Sequence, residues 1–361
     1  MTRAVHPALR TRICELFGTD IPVVQTGMGW VAGARLAAAT SSAGALGVIA
    51  SATMTYEELR AAVHEVQERT DRPFGVNLRT DHADVDRIVD LLVRRHVKVA
   101  SFAQAPNGRL VRKLSDGGVV TMPTVAARRH AEKVAAFGVH ALIAQGHEGG
   151  GHTGAVPTSL LLPQVVDAVD IPVLGAGGFH DGRGLVAALA FGAAGVAMGT
   201  RFLLTRESTV PDHVKARYLS ATVTDTVVTG AIDGVPQRVI RTGLVERLEA
   251  GSRAMAFVRA AENALKLRRV TNTTLAQLLR EGAAMRRSSE MTWAQVAMAA
   301  NAPMLTRAAM VEGRLDAGIL PTGQVTGVID ELPTVAELVD RIVEEAGAVL
   351  DRLGGGARPA G

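Results

Sequence analysis

The densest group of chemically versatile residues lies at positions 145–154. This stretch reads QGHEGGGHTG and places His147, Glu148 and His152 around a run of three glycines. Glycine has no Cβ, so a glycine run lets the backbone come very close to a ligand. Imidazole titrates near neutral pH and is a common proton donor or acceptor there. The stretch therefore indicates a site where a proton moves beside a closely bound ligand.

The three titratable side chains of this stretch do not carry equal weight. His152 follows the glycine run and is the candidate general acid or base, and the competing interpretation is a hydrogen-bonded structural ring. His147 is more consistent with an exposed ring in a turn. Glu148 either orients His152 or caps the following helix, and the sequence leaves both roles open.

The elements that must position these residues are short strands. Apolar runs rich in Val, Ile and Ala recur along the chain and are predicted as strands. They occupy residues 21–29, 45–51, 73–78, 98–103, 119–124, 140–146, 171–178 and 195–202. Continuous apolar runs of this length are typical of strands buried on both faces. Amphipathic stretches with helical spacing, such as residues 55–70, separate them.

This alternation of strands and helices predicts an α/β fold. Parallel strands joined by right-handed crossover helices follow from the alternation. Eight such units are the number of a closed (β/α)8 TIM barrel, which is the predicted architecture, with an additional mainly helical domain. An open, doubly wound sheet is the alternative.

The C-terminal ends of barrel strands are where barrels carry their chemistry. The third predicted strand ends near Asn77, and the sixth leads into residues 145–154. Backbone amides at residues 176–178 and 199–200 follow the last two strands, where barrels commonly bind phosphate. The alternative is that these glycines only turn tight corners.

A dinucleotide-binding motif is a weaker interpretation of the first strand end. Gly27, Gly29 and Gly33 lie between a predicted strand and a predicted helix. A Rossmann site also needs an acidic residue at the end of the second strand. The sequence there, IASATM, contains none.

Composition excludes several other classes of protein. The chain has 361 residues and a formal charge of +4, with basic and acidic residues interleaved, so no nucleic-acid partner is expected. Cys14 is the single cysteine and cannot form an internal disulfide. The N-terminus lacks a signal-peptide core, and the uncharged stretches are too short or too broken to span a membrane. A cytoplasmic protein is expected.

Three regions are predicted along the chain. Residues 1–205 form the barrel, residues 206–320 form a helical cap without a strand pattern, and residues 321–361 form a turn, a helix returning to the barrel and a disordered tail. The cap contains cations that could bind the phosphates of a coenzyme A moiety or could simply be solvated. They are Arg253, Arg259, Lys266, Arg268, Arg269, Arg280, Arg286 and Arg287.

Several sequence blocks together resemble the nitronate monooxygenase family. QGHEGGGHTG is similar to the family signature QG-x-E-x-GGH-x-G, and residues 73–78, 176–184 and 192–202 are similar to further blocks in the same order. The resemblance covers about residues 15–250, and GQVTGVIDELP also fits. It implies a barrel flavoenzyme that uses FMN.

The resemblance implies one FMN site built from loops at several strand ends. Its predicted members are Gly27, Met28, Gly29, Asn77, Gln145, Gly150, Gly151, Gly177, Gly178, Gly199 and Thr200. The first three would face the flavin ring, and the two amide side chains would bond to the flavin or its ribityl chain. Gly150 and Gly151 would line the site, the last four would hold the phosphate, and His152 would be the active-site histidine.

The resemblance to one branch of the family indicates the class of substrate. Residues 23–40 are most similar to actinobacterial flavin dehydrogenases acting on CoA thioesters from steroid ring breakdown. Nitronate oxidisers have the motif Q-x-PM after the first strand, whereas this chain has Gly27 before Met28. Residues 121–124 lack a lysine that is often found near the end of the fifth strand. The expected function is an FMN-dependent oxidoreductase with a bulky acyl-CoA as its small-molecule substrate. A nitronate monooxygenase and a non-catalytic flavin- or phosphate-ligand-binding protein remain as alternatives, and a homo-oligomer is compatible with the sequence.

Overall fold

The computed structural model describes residues 5–103, 105–251 and 301–355. The eight cations between residues 253 and 287 lie outside these ranges. The tail from residue 356 onward lies outside them as well.

Eight parallel strands close into a barrel, in the order β1-β2-β3-β4-β5-β6-β8-β9. The barrel strands are Val23–Gln25 (β1), Leu46–Ala50 (β2), Phe74–Leu78 (β3), Val99–Phe102 (β4), Val120–Val125 (β5), Leu142–Gln145 (β6), Val173–Ala176 (β8) and Gly195–Met198 (β9). Three further strands form a separate antiparallel sheet, namely Gly151–His152 (β7), Thr226–Thr229 (β10) and Gln237–Ile240 (β11). Pairing of Val23 with Val196 closes the barrel, so the predicted TIM barrel is confirmed and the open sheet is excluded.

A short helix at Arg12–Phe17 (α1) precedes the first strand. The helices that follow strands and cover the outside of the barrel are Ala34–Ser42 (α2), Tyr56–Arg69 (α3), Val85–Arg94 (α4), Gly108–Asp116 (α5), Arg128–Ala135 (α6), Thr158–Val166 (α7) and Gly182–Ala190 (α8). Local sequence sets where they begin. Thr55 and Glu58 form a capping box at α3, and the Asp181 carboxylate accepts the Gly184 N–H at the start of α8.

The first helix closes the amino-terminal mouth of the barrel. Ile13 and Phe17 of α1 are buried with strand residues such as Leu46. The Thr11 hydroxyl donates to the Ala194 carbonyl, 2.5 Å away, immediately before β9. Access to the barrel interior is therefore confined to the opposite mouth, at the C-terminal strand ends.

The region after the barrel contains strands that the sequence analysis did not predict. β10 and β11 pair antiparallel with Thr229 opposite Gln237, and β11 pairs with β7. Residues 206–320 show no strong strand pattern in the sequence, yet they contain both β10 and β11. Among the described residues of this part, the helices are Thr200–Leu203 (α9), Asp212–Leu219 (α10), Gly243–Ala250 (α11) and Asn301–Met310 (α12). Elsewhere in the described ranges, 3-10 helices lie at Pro7–Leu9, Ser51–Thr53 and Gln324–Val328.

A long helix at residues Val335–Leu353 (α13) packs against α8 of the barrel. Thr334 and Glu337 form a capping box at its start. Its apolar stripe, including Ile342, is buried, and the Glu345 carboxylate accepts the Gly182 N–H at 2.9 Å. Within the ranges given above, none of the helices is both long enough and apolar enough to cross a bilayer.

Candidate active site

The open mouth of the barrel brings the ends of β1 and β3 into direct contact. A Cβ placed on Gly27 would lie 2.5 Å from the Cβ of Asn77, which no real side chain tolerates. The Asn77 side-chain amide donates to the Ser101 hydroxyl at 3.0 Å, and the backbone carbonyl of Asn77 accepts the Ser51 hydroxyl at 2.6 Å. Glycine at position 27 therefore lets the loop after β1 lie against a fixed Asn77.

The same loop reaches the end of β9. A Cβ on Gly199 would lie 3.6 Å from the Met28 sulfur, and one on Gly29 would lie 3.2 Å from the Thr53 methyl carbon. The predicted residues from the first, third and eighth barrel strands thus share one edge of the mouth.

The loops after β8 and β9 contain backbone N–H groups that can donate hydrogen bonds to a ligand. Gly177 and Gly178 have φ values of 97° and 82°, which favour glycine. In the part of the chain that the structure describes, neither amide donates a hydrogen bond. The Thr200 hydroxyl accepts the Gly323 N–H at 3.0 Å, so it is already engaged. Unengaged amides at a loop corner are chemically suited to a phosphate group.

The glycine run after β6 contacts a C-terminal segment. A Cβ on Gly150 would lie 2.5 Å from the carbonyl carbon of Thr322 and 2.6 Å from the Gly323 nitrogen. The Gln324 N–H donates to the Glu148 carbonyl at 3.0 Å. Residues 322–324 are therefore part of the mouth. The sequence analysis placed a turn here and a block that resembles the family, but it assigned these residues no part in the site.

His152 lies at the end of this loop, in strand β7. Its carbonyl accepts the Gln145 amide at 2.8 Å, and its backbone pairs with Gln237 of β11. Gly151, with φ of 66°, has open space where a Cβ would point. The imidazole is 56% exposed.

The partner of this imidazole is a buried carboxylate from the β10–β11 hairpin. His152 Nε2 lies 2.8 Å from Asp233 Oδ2, and the Asp233 side chain is only 6% exposed. The other carboxylate oxygen accepts the Val235 N–H at 3.1 Å. The sequence analysis missed Asp233, because 81 residues separate it from His152. The Asp233–Gly234 pair is a turn signal that the sequence analysis did not use.

Glu148 caps the next helix and does not orient His152. Its carboxylate accepts the Thr158 N–H at 2.9 Å and the Thr158 hydroxyl at 2.8 Å, at the start of α7. Of the two roles that the sequence left open, the structure shows the cap.

His147 is half-buried, which differs from the exposed ring expected for it. Its Nδ1 lies 2.8 Å from the Gly154 carbonyl. The His147 carbonyl accepts a hydrogen bond from the guanidinium of Arg238 at 3.1 Å. Burial lowers the pKa of Arg238, and nearby Glu148 opposes this shift. Both residues brace the loop.

Helix α12 covers the loop after β1. The Trp30 indole N–H donates to the Pro303 carbonyl at 2.9 Å, and the Arg307 guanidinium lies 5.6 Å from the ring centre. Trp30 adopts φ of 65°, an uncommon conformation for a non-glycine residue. The segment at 301–310 therefore overhangs the mouth.

Comparison with known proteins places the chain among flavin-type barrels. Residues 10–88 and 80–345 match the family described as Nitronate monooxygenase. The chain is 58% identical, over 94% of its length and 96% of the relative, to a (3aS,4S,5R,7aS)-5-hydroxy-7a-methyl-1-oxo-octahydro-1H-indene-4-carboxyl-CoA dehydrogenase of Mycobacterium tuberculosis. A Rhodococcus jostii protein of the same name is 56% identical, over 96% and 98% of the two chains.

Solved structures agree with this assignment. FabK from Thermotoga maritima superposes with a TM-score of 0.78 at 34% identity, covering 96% of this chain and 99% of that one. A nitroalkane oxidase from Streptomyces ansochromogenes gives 0.74 at 26% identity, over 94% and 99%. The chain is an oxidoreductase, and it belongs to the nitronate monooxygenase family.

Proposed function

We propose that the chain is an FMN-dependent dehydrogenase of a bulky CoA thioester derived from a steroid ring. The observation that carries the proposal is the identity of 58% and 56%, over nearly the whole chain, to two dehydrogenases of a hydroxyindane-carboxyl-CoA. A flavin is implied by the family, and FMN is the form that a phosphate-binding corner at the last two strands suits.

The mouth of the barrel offers donors for each part of this cofactor. The loop at 27–29, Asn77 and Gln145 would lie around the ring and the ribityl chain. The glycine run at 149–151 would line the site, and the corners at 177–178 and 199–200 would hold the phosphate. The close Gly27–Asn77 contact and the unengaged amides of Gly177 and Gly178 support this arrangement.

The three predicted regions of the chain would divide these roles. Residues 1–205 would bind the cofactor, residues 206–320 would cover the substrate, and residues 321–361 would return to the barrel. The hairpin that carries Asp233 and the Trp30–Pro303 contact both link the second region to the mouth. The cations between residues 253 and 287 lie outside the described residues, so the CoA class rests on the relatives.

His152 is the residue proposed to move the proton. The hydrogen on the carbon next to a thioester carbonyl is acidic, and a neutral imidazole can remove it. A bound flavin supplies the acceptor for the hydride that leaves the neighbouring carbon. The proton goes to His152, a carbon–carbon double bond forms, and the exposed imidazole can later release the proton to solvent.

Replacing His152 by Ala tests this role. We expect kcat to fall by about 10²–10⁴-fold, the usual contribution of a positioned acid or base, while the protein retains its flavin. The measurement is steady-state oxidation of the thioester with an artificial electron acceptor, together with the visible spectrum. His64→Ala, on the exposed face of α3, is the matched control and should keep full turnover. Full turnover by His152→Ala would refute the assignment.

Oxidation of small nitronates is the second candidate function. It is favoured by the family match and by a probable nitronate monooxygenase of Staphylococcus saprophyticus that is 31% identical over 66% of this chain and 81% of that protein. A protein that only binds a flavin is less well supported, because binding alone does not require an imidazole held by a buried carboxylate.

A further inference from the structure

We propose that Asp233 is a positioning residue that holds His152 as the Nε2–H tautomer, so that Nδ1 is the nitrogen that takes the substrate proton. This inference rests on the proposed role of His152 and adds the residue and the atom through which that role is performed.

The contact itself defines the tautomer. An ionised carboxylate only accepts hydrogen bonds, so the His152 nitrogen facing Asp233 Oδ2 at 2.8 Å must carry the hydrogen. In a neutral imidazole the other nitrogen then has a free lone pair. Nε2 is therefore the structural nitrogen of His152, and Nδ1 is the basic one.

The two side chains of this pair differ strongly in burial. The Asp233 side chain is 6% exposed, whereas the imidazole is 56% exposed. The other oxygen of the Asp233 carboxylate, Oδ1, accepts a hydrogen bond from the Val235 N–H at 3.1 Å. The Nε2 side of the ring is thus fixed by protein, and more than half of the side chain is exposed.

The backbones on both sides of the contact are also fixed. His152 pairs with Gln237 in the three-stranded sheet, and Gln145 of the barrel donates to its carbonyl. In the hairpin loop, the Ala231 N–H donates to the Thr229 hydroxyl at 3.2 Å. Asn301 of α12 donates to the Ile232 carbonyl at 3.0 Å. The pair is built by the barrel, the hairpin and α12 together.

The proton balance follows from this geometry. The substrate proton moves to Nδ1, and the ring becomes an imidazolium that carries hydrogen on both nitrogens. The Nε2–H···Asp233 bond is kept and becomes charge-assisted, which stabilises the charged ring. Loss of the same proton from Nδ1 to solvent restores the starting tautomer.

A double-mutant cycle separates positioning from general structural support. We expect Asp233→Asn to lower kcat by at least about tenfold, but by no more than His152→Ala, because Asp233 acts only through His152. In the His152→Ala background, Asp233→Asn should change kcat by less than about twofold. The control is Glu246→Gln, which makes the same change from carboxylate to amide on the exposed side of α11 and should keep turnover.

A spectroscopic measurement on the resting protein tests the tautomer without turnover. In histidine labelled with ¹⁵N, at alkaline pH where imidazoles are neutral, the His152 signals should show a protonated Nε2 and an unprotonated Nδ1. The signals are assigned by their loss in His152→Gln. In Asp233→Ala this preference should disappear, and in Glu246→Gln it should remain.

The possible results separate the role of Asp233 from the proposed role of His152. A protonated Nδ1 in the wild type, or full turnover by Asp233→Asn with an inactive His152→Ala, would overturn the inference and leave the proposed function standing. A loss from Asp233→Asn that persists in the His152→Ala background would also overturn it. Full turnover by His152→Ala would instead overturn the proposed function.

Discussion

At the scale of single residues, the site depends on close approaches that only particular side chains allow. Gly27 lies against Asn77, and Gly150 lies against residues 322–323. Gly33, in the same loop as Gly27, has no neighbouring atom within 4 Å of where its Cβ would point. Position 27 therefore has no room for a Cβ, whereas position 33 has room for one.

This difference gives a matched pair of variants. Gly27→Ala must displace Asn77 and should lower the free energy of unfolding by about 1–3 kcal/mol, the usual cost of overpacking. It should also weaken flavin retention, since Asn77 would shift. Gly33→Ala should be close to neutral. Denaturant unfolding and the flavin content after purification measure both effects, and equal behaviour of the two variants would contradict this interpretation.

The sequence predicted much of the site at this scale, and its limits are physical. Asn77 and the glycine corners could be placed because barrel strands end where their apolar runs end. Asp233 could not, because its contact with His152 spans 81 residues and depends on a hairpin outside the barrel. The cofactor roles of the predicted residues stay a prediction.

At the scale of elements, the loop after β6 and the start of α7 form one unit. Glu148 accepts two hydrogen bonds from Thr158, which is buried at the first position of α7. This contact supports both the helix start and the loop that leads to His152.

Replacing Glu148 by Ala should therefore act on stability first. Loss of a helix cap costs about 0.5–2 kcal/mol, and we expect that decrease in the free energy of unfolding. The decrease in kcat should be far smaller than that of His152→Ala. Glu344→Ala, exposed on α13, is the control and should change neither quantity. A kcat loss equal to that of His152→Ala would show that Glu148 acts on the proton transfer after all.

The missed hairpin also belongs to the scale of elements. Residues 226–229 and 237–240 contain β-branched side chains on either side of Asp233–Gly234, which is a hairpin signal. Alternation of strands and helices in the barrel was easier to detect, because it repeats along the chain. A single hairpin that pairs with a two-residue strand leaves no repeating pattern.

At the scale of the whole molecule, half-buried histidines make stability depend on pH. Burial is the main cause that lowers the pKa of His82, His140 and His180. His140 Nδ1 also accepts the Thr121 N–H at 3.1 Å, which requires that nitrogen to be unprotonated. Below the ordinary histidine pKa of about 6.5, the unfolded chain therefore binds more protons than the folded one.

The sign of the pH effect follows directly. The free energy of unfolding should decrease as the pH falls from about 7 to about 5, with a slope per site of at most about 1.4 kcal/mol per pH unit. His140→Asn keeps an acceptor for the Thr121 N–H, so it should flatten this decrease without lowering kcat, because His140 lies before β6 at the closed mouth. Denaturant midpoints across this pH range provide the test, and a slope that His140→Asn leaves unchanged would contradict it.

The whole molecule is proposed to pass electrons from a CoA thioester to a bound flavin, and anaerobic reduction tests this most directly. The purified protein should show a flavin spectrum. Addition of a hydroxyindane-carboxyl-CoA thioester without oxygen should bleach it in wild type at a rate that His152→Ala lowers by about 10²–10⁴-fold. Bleaching by a small alkyl nitronate but not by the thioester, or a protein that binds no flavin after reconstitution, would contradict the account.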